Sequence, residues 1–160
     1  MDLKITPSLW FDMCKAEEAA EFYVSIFDNS KINAIRSYPE GSPGPAGEVM
    51  TVEFELDGVP FVAINGGPQF KFDEAISFMV TCEDQGEVDY FWEKLGDGGE
   101  EGPCGWLKDR FGVSWQVVPR GMDEVFDDAD PARAQRAFAA MMTMTKLDVA
   151  AIQAAADGEG

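Results

Sequence analysis

The amino-acid sequence predicts an α+β fold built from two related βαβββ units, on the strength of two recurrences along the chain. The helical segment Glu18–Asp28 recurs as Glu87–Asp97, with acidic, aromatic and aliphatic residues at matching places. The hairpin segment Gly58–Ile64 recurs as Gly112–Val118, with a turn glycine, a valine and an aromatic residue in the same order. Any two amphipathic helices resemble each other, but here the helix and the hairpin recur together. We therefore interpret the chain as a duplication whose halves join at Asn65–Glu74.

The first predicted unit has the order strand, helix and three strands. These elements are expected at Ile5–Phe11, Ala16–Phe27, Lys31–Tyr38, Glu48–Leu56 and Pro60–Asn65. Between Glu48 and Leu56 apolar and polar residues alternate, which is typical of a strand with one buried face. Asp57–Gly58 is a strong signal for a two-residue hairpin, so the last two strands are expected to be antiparallel neighbours.

The second predicted unit repeats this order, with four of its elements recognised in the sequence. Its elements are expected at Ala75–Cys82, Gln85–Leu95, Cys104–Arg110 and Ser114–Pro119. The first strand places the bulky residues Ile76, Phe78 and Val80 on the face toward the helix. We interpret Gly96–Gly102 as a turn-rich surface linker, because it neither follows a buried strand nor opens a helix, as a phosphate-binding loop would.

Two further helices are predicted after the repeat. Asp130 and Pro131 form a typical helix start, and this helix is expected to continue to about Met144. A second, alanine-rich helix is expected from about Lys146 to Ala156. Leaving the apolar faces of both helices in water would be costly, so they must pack on the domain or on a second subunit. Because these faces present more apolar surface than one small domain can easily cover, we expect a homodimer.

The predicted elements divide the chain into two parts. Residues 1–125 form a domain of two repeats, at about 4–65 and 75–119, and residues 126–160 form a helical extension. With 160 residues and 46% hydrophobic content, the chain is long enough for one well-filled domain or two small halves with a common core. Its apolar runs are far shorter than the roughly 18 residues that suggest a membrane span. The N-terminus lacks the pattern of a signal peptide, so a cytoplasmic protein is expected.

The charge and the histidine count exclude several functions. A net charge of −18 with a pI near 4.1 argues against nucleic acid and against an anionic membrane as partners. The chain has no histidine, and so lacks the commonest general base and the commonest transition-metal ligand. Its cysteines, Cys14, Cys82 and Cys104, have no paired CxxC spacing, which indicates reduced structural thiols rather than disulfides or a zinc site.

Four longer motifs resemble one known family. They are LWFD at Leu9–Asp12, EEAAEFY at Glu17–Tyr23, INGGPQFKF at Ile64–Phe72 and CGWLKDRFGVSWQVVP at Cys104–Pro119. They resemble the PhnB-like branch, often called demethylubiquinone methyltransferase-like, of the glyoxalase, bleomycin-resistance and dioxygenase (vicinal oxygen chelate) superfamily. The resemblance covers about residues 4–157. It implies a curved mixed sheet of the glyoxalase type around one cleft, followed by the C-terminal helices.

The resemblance also implies where a metal would bind. In enzymes of this superfamily each half offers ligands from its first and last strands to a divalent ion. By position, these places fall at Thr6, Val62, Ala75 and Gln116. Valine and alanine cannot ligate a metal, and one hydroxyl with one amide is too weak a set. The sequence therefore predicts neither a metal nor another cofactor in the cleft.

The methyltransferase name implies S-adenosylmethionine. Its binding usually relies on a glycine-rich turn after the first strand of a doubly wound parallel sheet. Here the only glycine cluster after a strand is Asn65–Pro68, which leads into an aromatic loop with Phe70 and Phe72. That loop is expected either to close over a ligand or to plug a barrel end or a dimer seam.

The strand faces opposite the helices are the candidate site. They combine aromatic walls with a few hydrogen-bonding groups, as ligand pockets do. The predicted ligand-binding residues are Thr6, Ser8, Trp10, Asn65, Ser77, Trp106, Lys108 and Gln116. Trp10, Trp106 and Met79 also fit the core of a subunit interface. No catalytic residue is identified, and Glu53 is the best candidate for proton transfer, with Lys108 as charge partner or with both in surface ion pairs.

Two functions remain open at this point. One is a metal-free homodimer that binds an apolar or aromatic small molecule in the cupped sheet. The other is an enzyme of the vicinal oxygen chelate type, a lyase, dioxygenase or methyltransferase, with a degenerate site. The missing metal-ligand set favours the first.

Overall fold

The structure is a computed structural model that describes residues 3–159. It has the predicted α+β class, with two four-stranded mixed sheets, each accompanied by a helix. The chain divides into two compact units, of which the first extends to Lys71 and the second begins at Phe72. Each unit has the order βαβββ, which confirms the predicted duplication.

The first unit contains four strands and one helix: β1 Ser8–Phe11, α1 Ala16–Ile26, β2 Lys31–Ser37, β3 Val49–Leu56 and β4 Val59–Asn65. The strand order is β1-β4-β3-β2, with β1 parallel to β4 and the other pairs antiparallel. The hairpin between β3 and β4 turns at Asp57 and Gly58, both with positive φ, as a type I′ turn requires.

The core of the first unit follows from alternation. Along β3, Val52, Phe54 and Leu56 are buried, and the residues between them are partly exposed. The helix α1 buries Tyr23, whose ring stacks on Phe54 at 6.2 Å between centroids. Phe54 in turn stacks on Phe61 of β4 at 5.4 Å. One column of aromatic rings therefore joins the helix to two strands of the sheet.

The second unit repeats the order with shorter strands: β5 Ser77–Cys82, α2 Gln85–Gly96, β6 Glu100–Glu101, β7 Trp106–Lys108 and β8 Ser114–Pro119. The strand order is β5-β8-β7-β6, again with the first and last strands parallel. The segment predicted as a linker contains β6, whose Glu100 and Glu101 pair with Lys108 and Leu107. A strand of two residues is too short to show alternation, which is why the sequence pattern misses it.

Three boundaries of two predicted strands are also corrected. The strand expected from Cys104 begins only at Trp106, because Cys104 and Gly105 both have positive φ. It ends at Lys108, because Asp109 starts the turn to β8. The strand expected from Ala75 begins at Ser77.

Three helices follow the repeat: α3 Met122–Phe126, α4 Pro131–Met141 and α5 Val149–Ala156. The carboxylate of Asp130 caps α4 by accepting from Ala132 N at 3.0 Å, as its sequence pattern predicts. Asp148 caps α5 in the same way through Ala151 N at 3.0 Å. The short helix α3 was not predicted, and α4 ends three residues earlier than expected, at Met141. None of the helices between residues 3 and 159 is long and apolar enough to cross a bilayer.

The C-terminal helices pack around a core of their own, against which Val118 of β8 also packs. Its buried members are Met122, Ala137, Leu147, Ile152 and Ala156. The backbone between α4 and α5 is joined to the segment before β7, since Cys104 N donates to Met144 O and Gly105 N to Thr145 O, both at 2.8 Å. The chain itself therefore buries Leu147 and Ile152, and no second subunit is needed for them. The boundary predicted at residue 126 stays a prediction.

Candidate functional site

One face of the second sheet gathers half of the predicted ligand-binding residues. The register places Ser77, Ser114 and Lys108 side by side on β5, β8 and β7. The next row on the same face contains Met79, Gln116 and Trp106. Because side chains alternate along a strand, this face is opposite the one that buries Leu107, Trp115 and Val117. The structure thus brings together Ser77, Trp106, Lys108 and Gln116.

A cavity of about 420 Å³ lies at the edge of this sheet. It is lined by Glu74, Glu100, Glu101, Gly102, Pro103, Trp106, Leu107, Lys108 and Ser114. Its volume is within the range of small-molecule sites, which is roughly 300 to 1,000 Å³. Two predicted residues, Trp106 and Lys108, form part of its wall.

The cavity has one cationic and three carboxylate side chains. Lys108 forms an ion pair with Glu74. The hydrogen bond from Lys108 lowers the pKa of Glu74, and the same bond, with the charges of Glu74, Glu100 and Asp73, raises the pKa of Lys108. Glu101 accepts from the indole nitrogen of Trp92 at 3.1 Å. The ammonium is thus neutralised in place, and the lining as a whole is negative.

Three polar side chains on the sheet face have hydrogen-bond partners within the second unit. Gln116 Nε2 donates to Ser77 Oγ at 2.9 Å, and Ser114 Oγ donates to the backbone oxygen of Asp73 at 3.5 Å. Ser114 is buried, and Ser77 and Gln116 are partly exposed. The two bonds fix the side chains of neighbouring strands beside the cavity.

A buried aspartate that the sequence analysis missed supports this face from behind. Asp109 is only 3% exposed. Its Oδ1 accepts from Phe111 N at 2.9 Å and from Val113 N at 3.0 Å, and its Oδ2 accepts from Trp115 Nε1 at 2.9 Å. Asp109 therefore shapes the turn that follows Lys108. The available signal was an aspartate just before a glycine turn, a position where its side chain commonly binds the backbone.

The placement of Glu53 differs from the prediction. Its side chain is 44% exposed and pairs with Arg36 across the strands at 2.8 Å, and the partner of Lys108 is Glu74. The buried acid of the described chain is Asp109 rather than Glu53. Glu53 thus forms the surface ion pair that was the alternative interpretation, and its position lends no support to proton transfer.

In the first unit, Trp10 contacts the glycine-rich segment after β4. Its Nε1 donates to Gly67 O at 3.0 Å, and its ring meets Phe70 edge-on at 5.1 Å. A side chain on Gly66 would place a Cβ 2.2 Å from the indole, so only glycine fits there. Thr6 and Ser8 are exposed, with Ser8 Oγ 3.4 Å from Thr6 O. Gly66 is thus explained by packing against Trp10, and Gly67 by its φ of +107°.

Asn65 has a structural role that corrects its assignment as a ligand-binding residue. It is 2% exposed. Its Oδ1 accepts from Ala16 N at 2.9 Å, at the start of α1, and its Nδ2 donates to Val49 O at 2.9 Å. Because both ends of the amide are used inside the first unit, the side chain is not available to a ligand.

The positions implied for a divalent metal do not fit one. Thr6 is exposed, Gln116 donates to Ser77, and Val62 and Ala75 have no donor atom. Within residues 3–159, no cluster of three or more acidic, cysteine or histidine side chains has metal-ligand geometry. The expectation of a metal-free site stays a prediction that rests on this donor set.

The structure has two βαβββ units, each with a four-stranded sheet whose first and last strands are parallel. This arrangement defines the glyoxalase and bleomycin-resistance class of the vicinal oxygen chelate superfamily. Within that class, the family model of 3-demethylubiquinone-9 3-methyltransferase matches residues 3–118. The chain belongs to this family, which confirms the predicted resemblance. No curated protein matches the chain.

Solved structures agree with this assignment. A putative 3-demethylubiquinone-9 3-methyltransferase, a PhnB protein from Bacillus cereus, is 40% identical, with 73% of this chain and 99% of that chain covered and a TM-score of 0.65. A protein from Pseudomonas aeruginosa is 22% identical, with coverages of 74% and 98% and a TM-score of 0.60. The fosfomycin resistance protein FosX from Listeria monocytogenes, in a complex with manganese(II), is 18% identical, with coverages of 74% and 93% and a TM-score of 0.50. The last two similarities concern the fold alone.

Proposed function

We propose that the protein is a metal-free homodimer that binds a small molecule with a planar apolar part, on the face of its second sheet. The observation that supports this most is the 420 Å³ cavity beside Trp106 and Lys108, two residues that the sequence singled out independently. Trp106 supplies an aromatic wall, and aromatic ligands stack on such walls with energies of roughly 0.5–1.5 kcal/mol beyond simple burial.

The charge of the cavity lining restricts the charge of the ligand that it can bind. Glu74 neutralises Lys108, and Glu100 and Glu101 add negative charge to the same lining. An anionic ligand would meet this charge without a free cation to pair with. The preferred ligand is therefore uncharged or cationic.

A pair of dyes tests the site. The full-length protein is titrated with uncharged Nile red and, separately, with anionic anilinonaphthalene sulfonate. We expect Nile red to bind more tightly, and Trp106→Ala to weaken its binding at least about tenfold, which corresponds to about 1.4 kcal/mol. Trp10→Ala in the first unit is the matched control and should leave the affinity unchanged. Equal affinities for Nile red in both variants would contradict the site. Native mass spectrometry of freshly purified protein then identifies any small molecule that is bound.

One exposed side chain near the end of α4 supports the dimer. Phe138 is 50% exposed, although its neighbour Ala137 is buried. Light scattering on the full-length chain should give twice the monomer mass, and Phe138→Glu should shift it toward the monomer. Ile35→Glu, at a similarly exposed apolar position on β2, is the control. A monomeric wild-type protein at moderate salt would overturn this part of the proposal.

The second candidate is methyl transfer, which the family name and the name of the 40% identical Bacillus cereus protein favour. The residues present do not fit the methyl donor S-adenosylmethionine, because each sheet is mixed and the glycines after β4 pack on Trp10 instead of opening a helix. Calorimetric titration with S-adenosylmethionine separates the two candidates. Saturable binding would favour methyl transfer.

A further inference from the structure

Two sulfur atoms meet at the junction of the second sheet and the C-terminal helices. Cys104 Sγ lies 3.5 Å from Met142 Sδ, with the thiol donating to the thioether. Cys104 directly precedes Gly105 and β7, and Met142 directly follows α4. Cys104 is partly exposed and Met142 is exposed, so ions in solution reach both atoms.

The backbone holds the two sulfurs in this arrangement. Cys104 N donates to Met144 O, and Gly105 N to Thr145 O, so the segment with the thiol is bonded to the one just after the thioether. Gly105 fits tightly, since a Cβ there would lie 2.9 Å from Val117 O. Cys104 has a φ of +58°, a left-handed conformation that non-glycine residues seldom adopt. Strained backbone of this kind persists where the surrounding structure fixes it.

We propose that Cys104 and Met142 bind a soft monovalent cation, Cu(I), with Ag(I) as its redox-inert analogue. Thiolate and thioether sulfurs are the ligands that select Cu(I) over harder ions. In trigonal geometry, with solvent as the third ligand, two sulfurs that each lie about 2.3 Å from a metal ion are about 4 Å apart, close to the separation found here. Met142 is unbranched and flexible, so its thioether can make up the difference.

The chemistry of binding is simple. The thiol of Cys104 gives its proton to solvent, two metal–sulfur bonds form, and no electron is transferred. This site is separate from the metal positions implied by the superfamily, which fall at Thr6, Val62, Ala75 and Gln116. The ion would join the segment before β7 to the end of α4.

The other cysteines are natural controls. Cys82 is buried, and desolvation, with the charges of Glu87 and Asp84, raises the pKa of its thiol to about 12, so it does not form a thiolate at neutral pH. Cys14 is exposed in the first unit and follows Met13 in sequence. If any cysteine with a methionine nearby in sequence were enough, Cys14 would bind as well as Cys104.

The test is an anaerobic titration of the full-length protein with Cu(I) in competition with bathocuproine disulfonate. We expect one ion per chain in the tight phase. Cys104→Ser and Met142→Leu should each weaken binding at least about tenfold, and Cys14→Ser should not change it. Met142→Leu nearly conserves volume, so the variant should remain folded, which thermal melting checks. A Met142→Leu protein that binds like the wild type would overturn the proposal, because the thiol alone would then be responsible.

A second readout does not depend on the chelator. One equivalent of Ag(I) should protect Cys104 from alkylation by iodoacetamide, while Cys14 reacts at its usual rate, as peptide mass spectrometry will show. X-ray absorption of the Cu(I) form should find two sulfur neighbours. Equal protection of Cys14 and Cys104, or a single sulfur neighbour, would each contradict a two-sulfur site.

Discussion

The two halves of the chain have the same order of elements, but they differ at the edge of their sheets. In the first unit β3 and β2 have eight and seven residues, whereas their counterparts β7 and β6 have three and two. The parallel pair and the helix are retained in both. The cavity lies at the shortened edge, beside β6 and β7. The cavity thus lies where the strands of the second unit are shorter than their counterparts, and the strand order is the same in both units.

The halves also differ in how they pack the aromatic residue of the last strand. Phe61 of β4 and Trp115 of β8 occupy matching places in the repeat, and both are buried. Phe61 stacks on the ring of Phe54, and its side chain has no polar group that needs an acceptor. Trp115 has an indole N–H that must find an acceptor when buried, and Asp109 supplies it at 2.9 Å. A change from phenylalanine to tryptophan therefore goes with a buried acid.

The largest expected effect comes from removing that acid. Asp109→Ala leaves Trp115 Nε1 and the backbone nitrogens of Phe111 and Val113 without their acceptor. Each unsatisfied buried donor costs roughly 1–3 kcal/mol, so we expect a total loss of about 3–5 kcal/mol in the free energy of unfolding. Urea denaturation measures it.

A substitution in the first hairpin serves as the control for Asp109→Ala. Asp57 sits in the turn with a φ of 49°, a conformation that asparagine also tolerates, so Asp57→Asn should change stability by less than about 0.5 kcal/mol. Trp115→Phe should make Asp109→Ala less harmful, because one donor is then absent. Additive effects of the two substitutions would contradict the proposed coupling.

An intermediate effect is expected at the two helix starts. Asn65 reaches α1 from the distant strand β4, whereas α2 is capped by Asp84, which accepts from Glu87 N at 2.9 Å. Asn65→Ala should cost about 2–3 kcal/mol, because it leaves the buried N–H of Ala16 and the partly buried carbonyl of Val49 without their partner. Asp84→Ala should cost only about 1 kcal/mol, as for an ordinary cap. Thermal and urea unfolding of both variants measure the difference, and equal losses would show that the remote cap adds nothing.

The smallest effect concerns pH. Hydrogen bonds from Asp130 N and then from Arg133 lower the pKa of Asp128 below its usual value of 3.8. A carboxyl with a depressed folded pKa contributes stability fully above its unfolded pKa, and this contribution is lost as pH falls through the folded value. The wild type should therefore lose more of its melting temperature below pH 4 than Asp128→Asn does. Parallel curves for the two proteins would contradict this role.

The sequence was sufficient for the fold because its signals are local. Alternation along β3, the Asp57–Gly58 turn and the Asp130 cap each follow from neighbouring residues. The candidate site was predicted only in part. Trp106 and Lys108 line the cavity because strand periodicity places them on one face, and that follows from the sequence.

The errors have physical reasons. The pairing of Lys108 with Glu74 instead of Glu53 depends on how the segment before β5 runs, which no periodicity encodes. Asn65 was predicted as a ligand-binding residue, although its amide is bonded at the buried start of α1, a contact between residues 49 positions apart that no local pattern encodes. The turn beside Asp109 could have been recognised from the sequence, but the bond from Trp115 could not, because the orientation of the indole is set by tertiary packing.

The side chain of Gln85 links α2 to the start of the last helix through two hydrogen bonds. Its Nε2 donates to Leu147 O at 3.0 Å, and its Oε1 accepts from Val149 N at 2.8 Å, so one amide joins α2 to the start of α5. The neighbouring ion pair of Lys146 with Asp89, at 2.8 Å, is screened by salt, whereas a neutral amide is not. In a chain with a net charge of −18, the last helix is thus attached by a link that is insensitive to ionic strength. When salt screens the ion pair of Lys146 with Asp89, this amide link between α2 and α5 should remain.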